Sequence, residues 1–139
     1  MHAKTPTAAV RDALERHVAD HPGQPVVIGC SGGPDSLALV HLAVSQRDVA
    51  SLAPIHACVI DHGLQPGSTA IASAAVEAAL RLGADAAHVV SVTVTPDGAG
   101  LEAAARLARR TALAEYATAC AAPRVWLAHT LDDQAETVL

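Results

Sequence analysis

The sequence predicts an α/β fold, in which a Rossmann-like parallel sheet carries helices on both of its faces. Segments with the apolar period of a strand alternate with helix-like segments along the chain, which is the order that βαβ units produce. The strand segments are short runs rich in valine and isoleucine, as in strands that are covered on both sides. No two of them are joined by a two-residue hairpin turn, so each pair leaves room for the helical crossover of parallel strands.

Each expected element has a recognisable pattern or boundary. The first helix, over 7–20, has one apolar stripe in which Val10, Leu14 and Val18 are spaced four apart. Proline and glycine follow it and mark most of the later boundaries, and Ser68 is expected to be the N-cap of the third helix. The expected strands cover 24–30, 54–60, 88–94 and 124–129, and the other expected helices cover 34–46, 68–82, 101–121 and a last segment from Leu131.

Length and charge limit what the chain can do alone. It has 139 residues, enough for one domain, and a formal net charge of −5 with Lys4 as its single lysine. Because affinity for nucleic-acid phosphates comes largely from lysine and arginine, this balance argues against the chain holding a nucleic acid alone. Hydrophobic residues make up 51% of the chain but aromatic residues 1%, so the core must be built from Ala, Val, Leu and Ile.

The cysteines and the apolar runs indicate a compartment. Cys30, Cys58 and Cys120 are odd in number and include no C-x-x-C pair, which fits free thiols in a reducing cytosol better than disulfides. No signal peptide opens the chain, and no apolar run reaches the roughly 18–20 residues of a membrane span. We therefore expect a cytoplasmic protein without membrane attachment.

Polar clusters follow three of the four expected strands. Residues 31–36 come after the first strand, 61–63 after the second, and 129–136 after the fourth. In an open parallel sheet the ligand site lies beyond the carboxyl ends of the strands, so these clusters are expected to meet at one edge. The helix after the third strand adds three charged residues that share a face by their spacing, namely Glu102, Arg106 and Arg109.

The segment Ser31-Gly32-Gly33-Pro34-Asp35-Ser36, which we name the SGGPDS loop, has the chemistry of an anion site. Its glycines free the backbone to turn, and its proline suits the first position of a helix, whose amides and dipole favour phosphate. It lacks the lysine of a Walker A loop and the spacing of a dinucleotide fingerprint. A carboxylate beside a phosphate loop without lysine suggests magnesium. The alternatives are a plain strand-to-helix turn and an aspartate that complements the helix N-terminus.

Four segments together resemble a known family. The SGGPDS loop resembles the S-G-G-x-D-S signature of the PP-loop ATP pyrophosphatases, which split ATP to AMP and pyrophosphate. Within that superfamily, DHGLQPGS at 61–68, GLEAAARLARR at 100–110 and AHTLDDQAETVL at 128–139 are similar to the motifs of tRNA(Ile)-lysidine synthetases, in the same order. The resemblance implies that residues 1–139 are the N-terminal PP-loop ATP-binding domain of such an enzyme, truncated at its C-terminal end.

The resemblance also implies a reaction. Enzymes of this family use ATP to adenylate carbon 2 of the wobble cytidine in an isoleucine tRNA with a CAU anticodon. Free L-lysine then displaces AMP and leaves lysidine. The expected cofactors are ATP and magnesium, the expected partners are that tRNA and lysine, and a homodimer is left open. This chain alone is expected to bind ATP without modifying tRNA.

Carried over position by position, the resemblance implies roles for single residues. Asp35 and Asp132 are the catalytic carboxylates and the expected magnesium ligands, and His62 is expected on the adenosine side. The structural alternatives are helix capping by Thr130 with Asp133, solvated arginines and structural histidines. The residues expected to bind ATP are Ser31, Gly32, Gly33, Pro34, Asp35, Ser36 and His62, and those expected to contact substrate or phosphate are Arg106, Arg109, His129, Asp133 and Glu136.

Two other functions compete with this interpretation. One is another PP-loop adenylating synthetase that uses ammonia or a different amine and needs no tRNA. The other, from a different class, is an ATP-binding module without turnover. The identity of the amine separates the first from a lysidine synthetase, and ATP that is bound but never cleaved would indicate the second.

Overall fold

A computed structural model describes residues 5–31, 33–50, 53–96, 98–128 and 136–138. Within these ranges the chain forms four helices and five strands, and the predicted α/β class is confirmed. The sheet order is β3-β2-β1-β4-β5. In chain order the elements are α1 (Pro6–Asp20), β1 (Val26–Cys30), α2 (Pro34–Ala50), β2 (Ile55–Asp61), α3 (Ser68–Arg81), β3 (Ala86–Ser91), α4 (Leu101–Ala119), β4 (Val125–Leu127) and β5 (Glu136–Val138).

The first helix illustrates how local sequence sets an element. The Oγ1 of Thr5 accepts a hydrogen bond from the Ala8 N–H at 3.1 Å, and Pro6 supplies the helical φ at the first position. The helix ends at His21, whose N–H donates back to the His17 carbonyl. Its buried stripe contains Val10 and Leu14, as the four-residue spacing predicted.

The central strand shows that helices cover both faces. In β1 the side chains of Val26, Ile28 and Cys30 belong to the larger core, which α1, α2 and α3 cover. Val27 points to the other face and packs in the core under α4, together with Leu113. Because β1, β2, β3 and β4 pair in parallel, their carboxyl ends lie at one edge of the sheet.

The last element is a correction. The sequence predicted a helix from Leu131, but residues 136–138 form β5, which pairs antiparallel with β4 in a register that sets Val125 opposite Val138. The outer edge of β4 offers unpaired backbone groups, and β-branched residues such as Thr137 favour a strand. Glu136 therefore lies in a strand and not in the predicted helix, while residues 129–135 lie outside the described ranges.

Two smaller predictions were also wrong. Ser68 is the first helical residue of α3, and the N-cap is Gly67 in a left-handed conformation with φ of 79°. The third strand lies at 86–91 and not at 88–94, because its register against β2 runs from His56 opposite Ala86 to Asp61 opposite Ser91. Pairing with β2 thus sets the limits of β3, because β2 ends at Asp61, whose carbonyl accepts a last bond from the Val92 N–H at 2.9 Å.

Cys30, Cys58 and Cys120 are free, and burial raises the pKa of the Cys58 thiol to about 12. Throughout the described part of the chain, no helix combines the length and the apolar character needed to cross a membrane.

Candidate functional site

The SGGPDS loop folds around the hydroxyl group of Ser36. Ser36 is 5% exposed, and its Oγ accepts from the Ser31 N–H at 3.1 Å and donates to the Gly33 carbonyl at 3.2 Å. Ser31 Oγ lies 3.2 Å from Ser36 Oγ and accepts from the Gly33 N–H at 3.2 Å. The Cys30 thiol adds a contact of 3.5 Å to the same hydroxyl. These bonds shape the loop before a ligand arrives, which reduces the ordering cost of binding.

The loop runs directly into the N-terminus of α2. The first helical hydrogen bond goes from the Leu37 N–H to the Gly33 carbonyl at 3.1 Å. The N–H groups of Asp35 and Ser36 precede that bond, so they have no acceptor within the helix and can donate to an anion. Asp35 is half-buried in this first turn. The arrangement is that of an anion site with one carboxylate beside it.

A cavity of about 360 Å³ opens between the SGGPDS loop and α4. We name it the α4 cavity. Its polar wall includes Ser31, Ser36, His62 and the side chain of Arg109. Its apolar floor comes from the ends of β1, β2 and β4 and from Leu113 of α4. The cavity therefore joins the anion site to a cation and to an apolar surface.

A second cavity, of about 230 Å³, lies at the end of β2. We name it the α3 cavity, because α3 contributes Ser68, Ile71 and Ala72 to its wall. Ile71 is 58% exposed and Leu64, in the same wall, is 49% exposed. An apolar wall open to solvent, with a few polar groups beside it, is typical of a small-molecule site.

The two cavities are neighbours. Both are lined by Ser31 of the SGGPDS loop, Ile60 of β2 and His62. His62 stands between them, and its Nδ1 is buried without a hydrogen-bond partner in the described structure. One extended ligand can therefore contact the loop and both cavities together.

Asp61 is the site residue that the sequence-based candidates lack. Its Oδ1 accepts from the Gly63 N–H at 2.9 Å and its Oδ2 from the Thr69 hydroxyl at 3.4 Å. The Gly63 N–H, the Ser68 hydroxyl and the Thr69 hydroxyl together hold the pKa of the Asp61 carboxyl below its usual range. The D-x-G pattern at the end of a strand is a signal for such a turn.

The other predicted residues differ in their placement. Arg106 and Arg109 are both exposed on the helical face that the sequence predicted. Arg109 lines the α4 cavity, whereas Arg106 lines neither of the two cavities. Pro34 is exposed at the start of α2. Gly32, His129, Asp132 and Asp133 lie outside the described residues, and of Glu136 the backbone alone is described, in β5.

The residues present fit a magnesium ion that arrives with a phosphate ligand. Magnesium usually keeps several waters and binds through one or two carboxylates and the phosphate oxygens of a substrate. Asp35 supplies one carboxylate beside the anion site. No cluster of three or more His, Cys, Asp or Glu residues within the described ranges is arranged to hold a metal by itself, so the described residues fit an ion that shares its ligands with a phosphate.

Comparison with known proteins agrees with this geometry. Residues 6–139 match the family model of the PP-loop domain. The chain is 50% identical over 133 residues to the tRNA(Ile)-lysidine synthase of Nocardia farcinica, which covers 94% of this chain and 39% of the relative. It is 52% identical over 118 residues to that of Leifsonia xyli, covering 85% of this chain and 35% of the relative. The chain thus spans less than half the length of the curated relatives it matches.

Solved structures share the fold at low identity. The U34-tRNA thiolase NcsA from Methanococcus maripaludis superposes with a TM-score of 0.72 at 22% identity, over 92% of this chain and 46% of that one. The NH3-dependent NAD synthetase from Campylobacter jejuni gives 0.62 at 18% identity, over 86% and 53%. These likenesses support the parallel-sheet architecture alone. With the family match, the SGGPDS loop and the sheet order, this chain belongs to the PP-loop domain family.

Proposed function

We propose that the carboxyl edge of the sheet binds one ATP molecule across the SGGPDS loop. The phosphates would lie on the loop and at the N-terminus of α2, and the adenine base would occupy the α3 cavity. The observation that carries this proposal is the Ser36-centred loop between two cavities that share Ser31, Ile60 and His62. Adenine has two apolar faces and a polar edge, and the apolar wall of Leu64 and Ile71 suits those faces.

Each group at the loop has a physical task in this proposal. The amides of Asp35 and Ser36 would donate to phosphate oxygens, and the positive end of the α2 dipole would favour their charge. Arg109, across the α4 cavity, would offset further negative charge that develops on the leaving pyrophosphate. Magnesium held by Asp35, with Asp132 as a second candidate, would neutralise charge on the same phosphates.

For the whole protein we propose the lysidine reaction, which includes tRNA and free lysine as substrates. Support comes from two relatives named tRNA(Ile)-lysidine synthase, which are 49% and 50% identical to this chain over 94% of its length. The α4 cavity, beside the loop, is where the adenylated group would meet its nucleophile. A tRNA-modifying enzyme works where tRNA is present, so the cytoplasm is part of the proposal. This chain would act as its ATP-binding domain.

The reaction has a direct test. A full-length relative is expected to incorporate labelled lysine into an isoleucine tRNA with a CAU anticodon in an ATP-dependent manner, whereas this chain alone is expected to incorporate none. We expect no incorporation by this chain because its net charge is −5, and few of its side chains can bind the phosphates of a tRNA. Incorporation by this chain would contradict the expectation, and incorporation of ammonia in place of lysine by the longer enzyme would favour the other adenylating synthetase.

Gly33→Ala tests the ATP site without disturbing the fold. A Cβ at Gly33 would meet only the Ser31 hydroxyl, at 3.4 Å, which is an ordinary contact. The variant should therefore keep the melting temperature of the wild type, yet the added methyl group would stand where phosphates approach the backbone. We expect ATP to bind at least about tenfold more weakly, which corresponds to a loss of about 1.4 kcal/mol.

Gly98→Ala is the matched control for that variant. A Cβ at Gly98 meets nothing within 4 Å, and Gly98 lines neither cavity. Calorimetric titration with ATP should give the wild-type dissociation constant for Gly98→Ala. Equal binding by both alanine variants would show that phosphates do not approach the loop at Gly33.

A further inference from the structure

Asp61 joins the end of β2 to the start of α3. It is the last residue of β2 and is 8% exposed. One carboxylate oxygen accepts from the Gly63 N–H at 2.9 Å, and the other accepts from the Thr69 hydroxyl in the first turn of α3 at 3.4 Å. A single buried carboxylate thus closes the turn over 62–67 from both of its ends.

This turn forms much of the wall of the α3 cavity. Gly63, Leu64 and Gln65 line that cavity, and His62 lines both cavities. Gly63 has φ of +68°, a left-handed conformation that the bond to Asp61 helps to hold. The shape of the turn therefore sets the wall that faces the proposed base, and it sets the position of His62.

The SGGPDS loop is held independently of this turn. In the described part of the chain its hydrogen bonds join residues 30–37 to one another, and none of them reaches Asp61. The loop and the turn are thus two separately supported halves of one site. A change at Asp61 can alter the α3 cavity while the loop keeps its shape.

We propose that Asp61 is a positioning residue for the base of the bound nucleotide and not for its phosphates. The proposal rests on the proposed ATP binding, and it adds that this carboxylate affects the binding of the base half of the ligand. Asp61 lines the α3 cavity, but its oxygens are engaged by the turn, so its effect on the base passes through the turn. Asp61 variants should therefore separate the affinity for ATP from the affinity for tripolyphosphate, which carries the phosphates without the base.

The first test compares Asp61→Asn with Asp85→Asn. Asp85 has similar chemistry at the other end of β2, because its Oδ2 accepts from the Ile55 N–H at 2.8 Å and pairs with Arg47. Asp61→Asn should weaken ATP binding about tenfold and change tripolyphosphate binding by less than about twofold. Asp85→Asn should change neither affinity, although it likewise removes the charge of a carboxylate that is hydrogen-bonded to β2.

A second pair of variants reaches the same turn without removing a charge. Gly63→Ala and Gly23→Ala both place a Cβ where nothing lies within 4 Å, and both carry a left-handed φ, of +68° and +76° respectively. The backbone strain is therefore matched, but Gly23 lies in the turn between α1 and β1, away from both cavities. Gly63→Ala should weaken ATP binding selectively, and Gly23→Ala should leave both affinities at the wild-type value.

The outcomes separate the two proposals. Selective loss of ATP binding in Asp61→Asn, with both controls unchanged, supports the positioning role, and selective loss in Gly63→Ala supports the turn as its route. If the wild type binds both ligands and Asp61→Asn loses neither of them, or loses both equally, this inference is overturned while the ATP site stands. If the folded wild type binds neither ATP nor tripolyphosphate, the ATP site and the role of Asp61 fail together.

Discussion

Replacing Trp126 by alanine is expected to lower the free energy of unfolding by about 3–5 kcal/mol. Trp126 lies in β4, is 2% exposed and is the largest fully buried side chain. The other buried residues of its core cluster are alanine, valine, leucine and isoleucine residues and Cys30, too small to fill the space that the indole would leave. Because domains of this size are stable by about 5–15 kcal/mol, the variant should be partly unfolded at 37 °C.

Urea unfolding followed by far-ultraviolet circular dichroism measures this effect without relying on the lost fluorophore. Leu107→Ala is the control, because Leu107 is 64% exposed on α4, and it should change the free energy of unfolding by less than about 0.5 kcal/mol. A loss below about 1 kcal/mol for Trp126→Ala would mean that the core around β4 is packed differently, since burial of this size normally costs several times more.

Replacing Ser36 by alanine is expected to have the largest effect on ATP binding. The Ser36 hydroxyl accepts from the Ser31 N–H, donates to the Gly33 carbonyl and contacts the Ser31 hydroxyl. Without this hydroxyl, its partners must form hydrogen bonds to water instead, and the loop loses its fixed shape. At about 1 kcal/mol for each lost hydrogen bond, ATP affinity should fall by roughly 30- to 1,000-fold.

Ser45→Ala is the matched control on the same helix. The Ser45 hydroxyl donates to the Leu42 carbonyl at 3.1 Å and is exposed in α2, away from the loop. Calorimetry should give the wild-type ATP affinity for Ser45→Ala, and thermal melting should show that both variants are folded. Wild-type affinity in Ser36→Ala would mean that the bonds of this hydroxyl do not organise the site.

The sequence alone predicts most of the sheet because strand and helix periods differ so clearly. It fails at the C-terminal segment, where Thr137 and Val138 are compatible with either state and pairing with β4 decides in favour of a strand. The limits of β3 likewise depend on its register against β2. Both features depend on tertiary contacts, which no local sequence pattern shows.

The sequence predicts where the candidate site lies, but it does not predict the contacts that the site residues make. The SGGPDS loop is visible in the sequence, but the role of Ser36 as the centre of its hydrogen bonds depends on the turn that brings Ser31 back to it. Helix periodicity puts Arg106 and Arg109 on one face, while the position of α4 against the sheet puts Arg109 alone at the α4 cavity. The D-x-G pattern at Asp61 indicates a turn, but its second bond, to the Thr69 hydroxyl, depends on how α3 packs against the end of β2.

If the sheet edge built around the SGGPDS loop binds ATP, calorimetric titration of the folded wild-type chain with ATP, with and without magnesium, should detect it. We expect one saturable site for each chain, with tighter binding when magnesium is present, since the loop supplies the carboxylate of Asp35. The absence of saturable ATP binding in a chain shown by circular dichroism to be folded would contradict it.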